Sequence, residues 1–130
     1  MRKVAKAQRD PDPGVRCRAA EALVEAGSMD RISIALLISD LKGDDDTARC
    51  ALDVLGLAGL FDPDVARSMI RIVQEEKDPD IRSRAARVLM HIGPKAREAI
   101  PALVHALKDD IPGAEMALKA VRSSAPRRRR

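Results

Sequence analysis

The chain has 130 residues, of which 45% are apolar and 34% are charged, and its formal net charge is +4. This length and this mixture indicate one folded domain and argue against a wholly disordered chain. Phe61 is the only aromatic residue, so the core consists of aliphatic side chains and alanine, which favours packed helices over a β-sandwich or barrel.

The positive charge is concentrated at the C-terminus. The last four residues are Arg127, Arg128, Arg129 and Arg130, and without them the basic and acidic residues are equal in number. Because Ser-Ser-Ala-Pro precedes them, we expect residues 123–130 to form a disordered basic tail. Four charges support only weak, salt-dependent contact with nucleic acid, and we expect the rest of the chain to bind none.

Neither export nor a membrane span is predicted. Arg2, Lys3 and Lys6 interrupt the region in which a signal peptide carries its apolar core. The longest apolar run, residues 54–61, is much shorter than the roughly 20 residues of a spanning helix. We therefore expect a cytoplasmic protein.

One pattern occurs three times along the chain, at residues 12–27, 44–59 and 78–93, with a weaker fourth copy from residue 110. Asp12 and Asp78 are suited to cap a helix, and each precedes a proline, which the first helical position accepts. Apolar residues follow at spacings that lie on one helical face. Gly27, Gly59 and Gly93 end the copies, where we expect a left-handed backbone.

Other apolar-periodic stretches alternate with these copies. They cover residues 32–41, 65–73 and 100–107, and residues 2–8 form a weak first member. Together the two kinds of segment predict helix pairs, A then B, at residues 1–27, 28–59, 60–93 and 94–122. No single pair can bury its apolar face alone, so the pairs are expected to stack into one solenoid domain over residues 1–122.

The repeated segments resemble HEAT repeats, in the short form of the phycobilin lyases. The resemblance rests on Asp-Pro-x-Val/Ile-Arg-x-x-Ala-Ala-x-x-Leu in two B helices and on Ala-Ile-Pro-Ala-Leu-Val-His-Ala-Leu-Lys-Asp at residues 99–109. Tetratricopeptide and ankyrin repeats have similar periods but different landmark residues. The resemblance implies an all-α, right-handed solenoid of about four helix pairs. It also implies a structural ladder of bonds between neighbouring repeats, made by Asp12, Arg16, Asp44, Asp78 and Arg82.

The residues with reactive side chains do not form a catalytic pattern. His91 and His105 lie on different predicted helices, and neither is followed by the glutamate that completes the iron-binding pair of the HEAT-type deoxyhypusine hydroxylases. We expect both to be surface residues rather than metal ligands. Cys17 and Cys50 lie on consecutive B helices, and we expect them to be free structural thiols. The sequence thus predicts no catalytic residue, metal or cofactor.

A stack of B helices is expected to line a concave groove that binds an extended protein segment. Exposed B-helix positions carry mixed charges, which suit arginine–carboxylate pairs, and Met90 offers an adaptable apolar contact. The predicted groove residues are Arg18, Glu21, Arg49, Asp53, Arg84, Arg87, Met90 and Lys119. We expect charge reversal at Arg84 or Arg87 to weaken a partner without loss of helicity.

These observations favour a non-catalytic protein-interaction scaffold. Two alternatives stay open. One is a subunit or relative of the HEAT-like phycobilin lyases, which are enzymes. The other is a nucleic-acid accessory protein that acts through the basic tail.

Overall fold

The computed structural model describes residues 11–27 and 30–123. Over these ranges the chain forms seven α-helices, one 3₁₀ segment and no strand. The helices are α1 (Pro13–Glu25), α2 (Arg31–Leu41), α3 (Asp45–Ala58), α4 (Pro63–Glu75), α5 (Pro79–Ile92), α6 (Ile100–Lys108) and α7 (Ala114–Arg122). The 3₁₀ segment, Gly93–Ala99, leads directly into α6. The predicted first A helix, at residues 2–8, and the four-arginine tail lie outside the described residues.

The helices pack as a solenoid. Each B helix contacts the next one, so that α1, α3, α5 and α7 form one layer. The A helices α4 and α6 pack together in the second layer, and α2, α4 and α6 each contact the B helix that follows. The prediction of an all-α solenoid of A–B pairs is confirmed.

The helix starts follow the predicted chemistry. Asp12 Oδ1 accepts from Gly14 N at 2.9 Å, and Asp78 Oδ1 accepts from Asp80 N at 2.9 Å. Both α1 and α5 begin with the proline that follows the aspartate. These bonds satisfy backbone donors that have no partner inside the helix. Local sequence therefore determines where these two B helices begin.

The glycines that end the repeated segments do not all have the same role. Gly27 and Gly93 have positive φ angles of 71° and 74°, which glycine adopts without strain. The ψ angle of Gly93 is −142°, so its backbone is not in the left-handed helical conformation that we predicted. The prediction is also wrong for Gly59, whose φ is −64°. A Cβ on Gly59 would overlap the side chain of Ile92, and a Cβ on Gly56 would lie 2.7 Å from His91 Cβ. These two glycines therefore allow α3 to approach α5 closely.

The core is continuous across the stack. Its largest fully buried side chains are aliphatic or methionine and come from α2, α3, α4, α5 and α6: Leu41, Leu55, Met69, Leu89 and Leu103. Small alanines fill the space where helices approach most closely, including Ala85, Ala86 and Ala117, all with no exposed surface. Burial of these apolar groups, at about 25 cal/mol per Å², is the main stabilising contribution.

The last B helix starts in a different way from the others. No side chain caps α7, and the residue before it, Gly113, has a left-handed φ of 86°. Ser83 Oγ, on α5, donates a 2.7 Å hydrogen bond to the carbonyl of Pro112. A contact from the neighbouring repeat thus holds the entry turn that lacks a capping aspartate.

The expectation of free thiols is wrong. Cys17 on α1 and Cys50 on α3 form a disulfide, with their Cα atoms 6.0 Å apart. That separation lies in the usual range for a disulfide. It arises because consecutive B helices pack side by side and bring positions 33 residues apart into register.

Candidate protein-binding groove

The outer surface of the B-helix layer contains a groove. Two adjoining cavities, of about 290 and 430 Å³, lie along α3, α5 and α7. Both are lined by Arg49, Leu52 and Arg87, so they lie next to each other. We call the two together the B-helix groove; its further lining residues are Asp45, Ala48, Asp53, Arg84, Met90, His91, Gly113 and Met116.

The structure gathers five of the eight predicted groove residues in the B-helix groove: Arg49, Asp53, Arg84, Arg87 and Met90. The other three, Arg18, Glu21 and Lys119, are exposed on B helices but line neither cavity. Lys119 instead lies 3.5 Å from Glu115, one turn earlier on α7. The sequence pattern missed Leu52 and Met116, whose apolar side chains it assigned to no site.

Arg84 does not have the free guanidinium that the sequence suggests. Its Nη1 donates to the carbonyls of Leu41 at 2.9 Å and Gly43 at 2.8 Å, and its Nη2 lies 2.7 Å from Asp45 Oδ1. The side chain is only 19% exposed. It satisfies carbonyls at the end of α2, which a helix otherwise leaves without partners. These contacts lead us to expect that charge reversal at Arg84 would disturb the fold, contrary to the prediction from the sequence.

Arg49 and Arg87 differ from Arg84. Both are exposed, and across the described part of the chain neither guanidinium makes a hydrogen bond or an ion pair. The carboxylate of Asp53 likewise has no such partner within those ranges. The groove thus offers two guanidiniums and one carboxylate whose charges are not neutralised by any of the described residues.

Apolar surface lies beside these charges. Leu52 is almost fully buried at the base of the groove, Met90 is half-buried, and Met116 is 64% exposed. Methionine is common on surfaces that bind several different partners, because its unbranched side chain adapts to each of them. The groove therefore combines ionic and apolar contacts.

A separate cavity, of about 380 Å³, lies between the A helices α2 and α4, and we call it the A-helix cavity. Here the charges pair with each other: Asp64 lies 3.0 Å from Arg67 and 3.7 Å from Arg31. Arg67 also lies 3.9 Å from Glu98. Since most of its charges are already paired, this cavity offers less to a charged partner than the B-helix groove.

The predicted ladder is made by its arginines. Arg16 contacts Asp40 through two nitrogens, at 3.1 and 3.3 Å, and so ties α1 to the end of α2. Arg82 donates to the carbonyl of Val73 at 2.8 Å and to Asp109 at 3.0 Å, after the end of α6. Each guanidinium therefore links its B helix to the following A helix.

The predicted aspartates of the ladder accept bonds within their own segments. Asp44 Oδ1 accepts from Thr47 N at 2.9 Å, as Asp12 and Asp78 accept at their own helix starts. The Thr47 N–H holds the pKa of Asp44 below its usual value, with a smaller contribution from the charge of Arg84. The Ser33 N–H and hydroxyl lower the pKa of Asp30 in the same way.

No three histidine, cysteine or acidic side chains cluster as metal ligands would within the ranges that the structure describes. His91 and His105 are both exposed, as expected. No helix within residues 11–27 and 30–123 is long and apolar enough to cross a membrane.

Comparison with known proteins identifies the repeat. The family model for HEAT repeats matches residues 34–123, which include the helices α3 to α7 and the whole B-helix groove. No curated protein matches the chain significantly. No solved structure does so either.

Proposed function

The chain belongs to the HEAT repeat family, and from that premise we propose that it is a non-catalytic scaffold that binds an extended protein segment in the B-helix groove. HEAT solenoids commonly serve as surfaces for protein partners. The observation that carries the proposal is the pair of guanidiniums of Arg49 and Arg87, which have no partner among the described residues, beside the exposed side chain of Met116. These are the groups that a protein segment with mixed polarity contacts.

The dimensions and the charges of the groove favour a protein segment over other ligands. The groove crosses three helices, so an extended chain is able to contact all of them. Asp53 lies in it and would repel a phosphate backbone, and its lining includes no aromatic side chain on which a base would stack.

The two alternative functions, a phycobilin lyase subunit or relative and a nucleic-acid accessory protein, stay predictions. No curated relative supports the phycobilin lyase subtype, and the basic tail lies outside the described residues. The cytoplasmic location is also a prediction, which fractionation of cells that express the tagged full chain would check. This check matters because the chain has a disulfide, and disulfides are rare in cytosolic proteins, where they usually have a redox role.

Selection of peptides tests the proposed function. A random dodecapeptide library is displayed on phage and selected against the folded full chain, and the recovered peptides are titrated into ¹⁵N-labelled protein. We expect the amide shifts to map to α3, α5 and α7. Arg87→Glu should weaken peptide binding at least tenfold, while circular dichroism stays unchanged because this side chain is exposed.

A matched control is available on the other layer. Arg71 is an exposed arginine of α4 that lines the A-helix cavity, so Arg71→Glu makes the same charge change away from the groove. It should leave the affinity unaltered. Two results would refute the groove as the binding site. One is peptide-induced amide shifts that map to α2 and α4. The other is peptide binding that is lost in Arg71→Glu and retained in Arg87→Glu.

A further inference from the structure

We propose that the B-helix groove contains two adjoining subsites, which together select a protein segment with a carboxylate side chain two positions from a large aliphatic side chain. The proposal rests on the proposed function and specifies the partner that the same groove would accept. It follows from how charges and apolar groups are distributed between the two cavities.

The smaller cavity forms the carboxylate subsite. It is lined by three arginines and one acidic residue, Asp45. Because Asp45 is paired with Arg84 at 2.7 Å, the charges there that no described residue compensates are those of Arg49 and Arg87. A guanidinium offers parallel N–H donors that match the two oxygens of a carboxylate. An acidic side chain is therefore the natural occupant.

The larger cavity forms the aliphatic subsite. Leu52, Met90 and Met116 contribute its apolar surface. Met116 is 64% exposed, and a large aliphatic side chain bound here would remove it from water. Asp53 lies in this cavity without a partner inside the described ranges. It offsets one of the two guanidiniums that the cavities share, so a carboxylate is held less strongly here than in the smaller cavity. This asymmetry sets which end of the groove receives the acidic residue.

The spacing of the two recognised side chains follows from the lining that the subsites share. Arg49, Leu52 and Arg87 belong to both cavities, so the bound side chains enter next to each other. In an extended chain the side chains at positions i and i+2 point to the same side, about 7 Å apart. A Glu-x-Leu pair, in one chain direction or the other, therefore fits both subsites at once.

The test uses four pools of synthetic dodecapeptides, random except for a central pair of positions. The central pair is Glu-x-Leu, Gln-x-Leu, Glu-x-Ser or Gln-x-Ser, each in both orders. Pool binding to the full chain is measured by retention on immobilised protein, and the site is located by amide shifts. We expect the Glu/Leu pool to be retained at least fivefold more than either pool with one replacement.

Protein variants assign each preference to its subsite. Arg49→Gln with Arg87→Gln should abolish the preference for Glu over Gln and keep the preference for Leu. Met116→Ser should do the reverse. All three side chains are exposed, so thermal melts should be unchanged, and Arg71→Gln serves as the control that keeps both preferences.

The outcomes separate this inference from the proposed function. Equal retention of the four pools with shifts in the groove would overturn the two-subsite inference and leave the protein-binding groove standing. Shifts elsewhere, or no retention of any pool, would overturn both. Single-stranded DNA is added as a phosphate-rich competitor at an equal concentration of negative charge. If it displaces the Glu/Leu pool, the groove is an unselective anion site, and the inference is overturned.

Discussion

Reduction of the disulfide between Cys17 and Cys50 is expected to destabilise the protein strongly. The bond links α1 to α3 across a sequence separation of 33 residues. Loop-closure entropy for a loop of this length gives about 4 kcal/mol at 25 °C, because the cross-link restricts the unfolded chain. Helix α1 packs mainly against α3, so the reduced protein is expected to lose α1 first.

Urea unfolding measures this effect. With a slope of about 2 kcal/mol per molar urea, a loss of 4 kcal/mol lowers the midpoint by about 2 M. The midpoint is compared for the oxidised protein, for the protein in a phosphine reductant, and for the Cys17→Ser/Cys50→Ser variant. The reduced protein and the variant should agree, and the variant should not respond to the reductant.

Two results would refute the reasoning. One is a titration of the air-oxidised protein that finds two free thiols, since this would remove the cross-link itself. The other is a midpoint that moves by less than about 0.5 M on reduction, since the constraint on the unfolded chain would then be negligible. Hydrogen exchange gives an independent reading, because reduction should raise exchange in α1 before it does so in α5.

Three further changes test other parts of the structure. Arg84→Ala should lower the free energy of unfolding by about 2 kcal/mol, because the bonds to two backbone carbonyls are lost. Arg87→Ala, at an exposed position, should lower it by less than about 0.5 kcal/mol. Equal urea midpoints for the two variants would contradict this difference. Gly59→Ala should cost about 1–3 kcal/mol because its Cβ overlaps Ile92, and adding Ile92→Val should recover part of that loss. The pKa of Asp44 is lower in the folded chain than its unfolded value near 3.8. Its stabilising contribution is therefore full above that value and lost as the pH falls through the folded pKa. Between pH 5 and pH 2.5, stability should fall more steeply in the parent chain than in Asp44→Asn, and parallel profiles would contradict the assignment.

Much of the fold was predictable because its signals are local. Asp12 and Asp78 followed by proline predict helix starts within one turn of chain, and the structure has helices that begin there. The alternation of A and B segments depends on apolar periodicity, which reports the buried face of a helix from neighbouring residues alone. The glycine rule failed at Gly59, where contact with Ile92 rather than the backbone angle requires the small residue.

The site was predictable only in part. Apolar periodicity indicates which side chains point away from the core, and this was enough to place Arg49 and Arg87 on the exposed surface of the B helices. It does not indicate what a long side chain reaches once it is outside the core. Arg84 lies on the same helix as Arg87, yet its guanidinium is held by carbonyls of residues 41 and 43.

The sequence by itself determined the helix pairs, their order and the repeat family, because capping, periodicity and repetition are properties of neighbouring residues. Only the tertiary structure decided which pairs of distant residues meet. It joined Cys17 to Cys50, assigned Arg84 to the end of α2, and brought Leu52 and Met116 into one groove with Arg49 and Arg87. These contacts depend on how closely successive B helices stack, and that distance follows from side-chain packing across the whole solenoid.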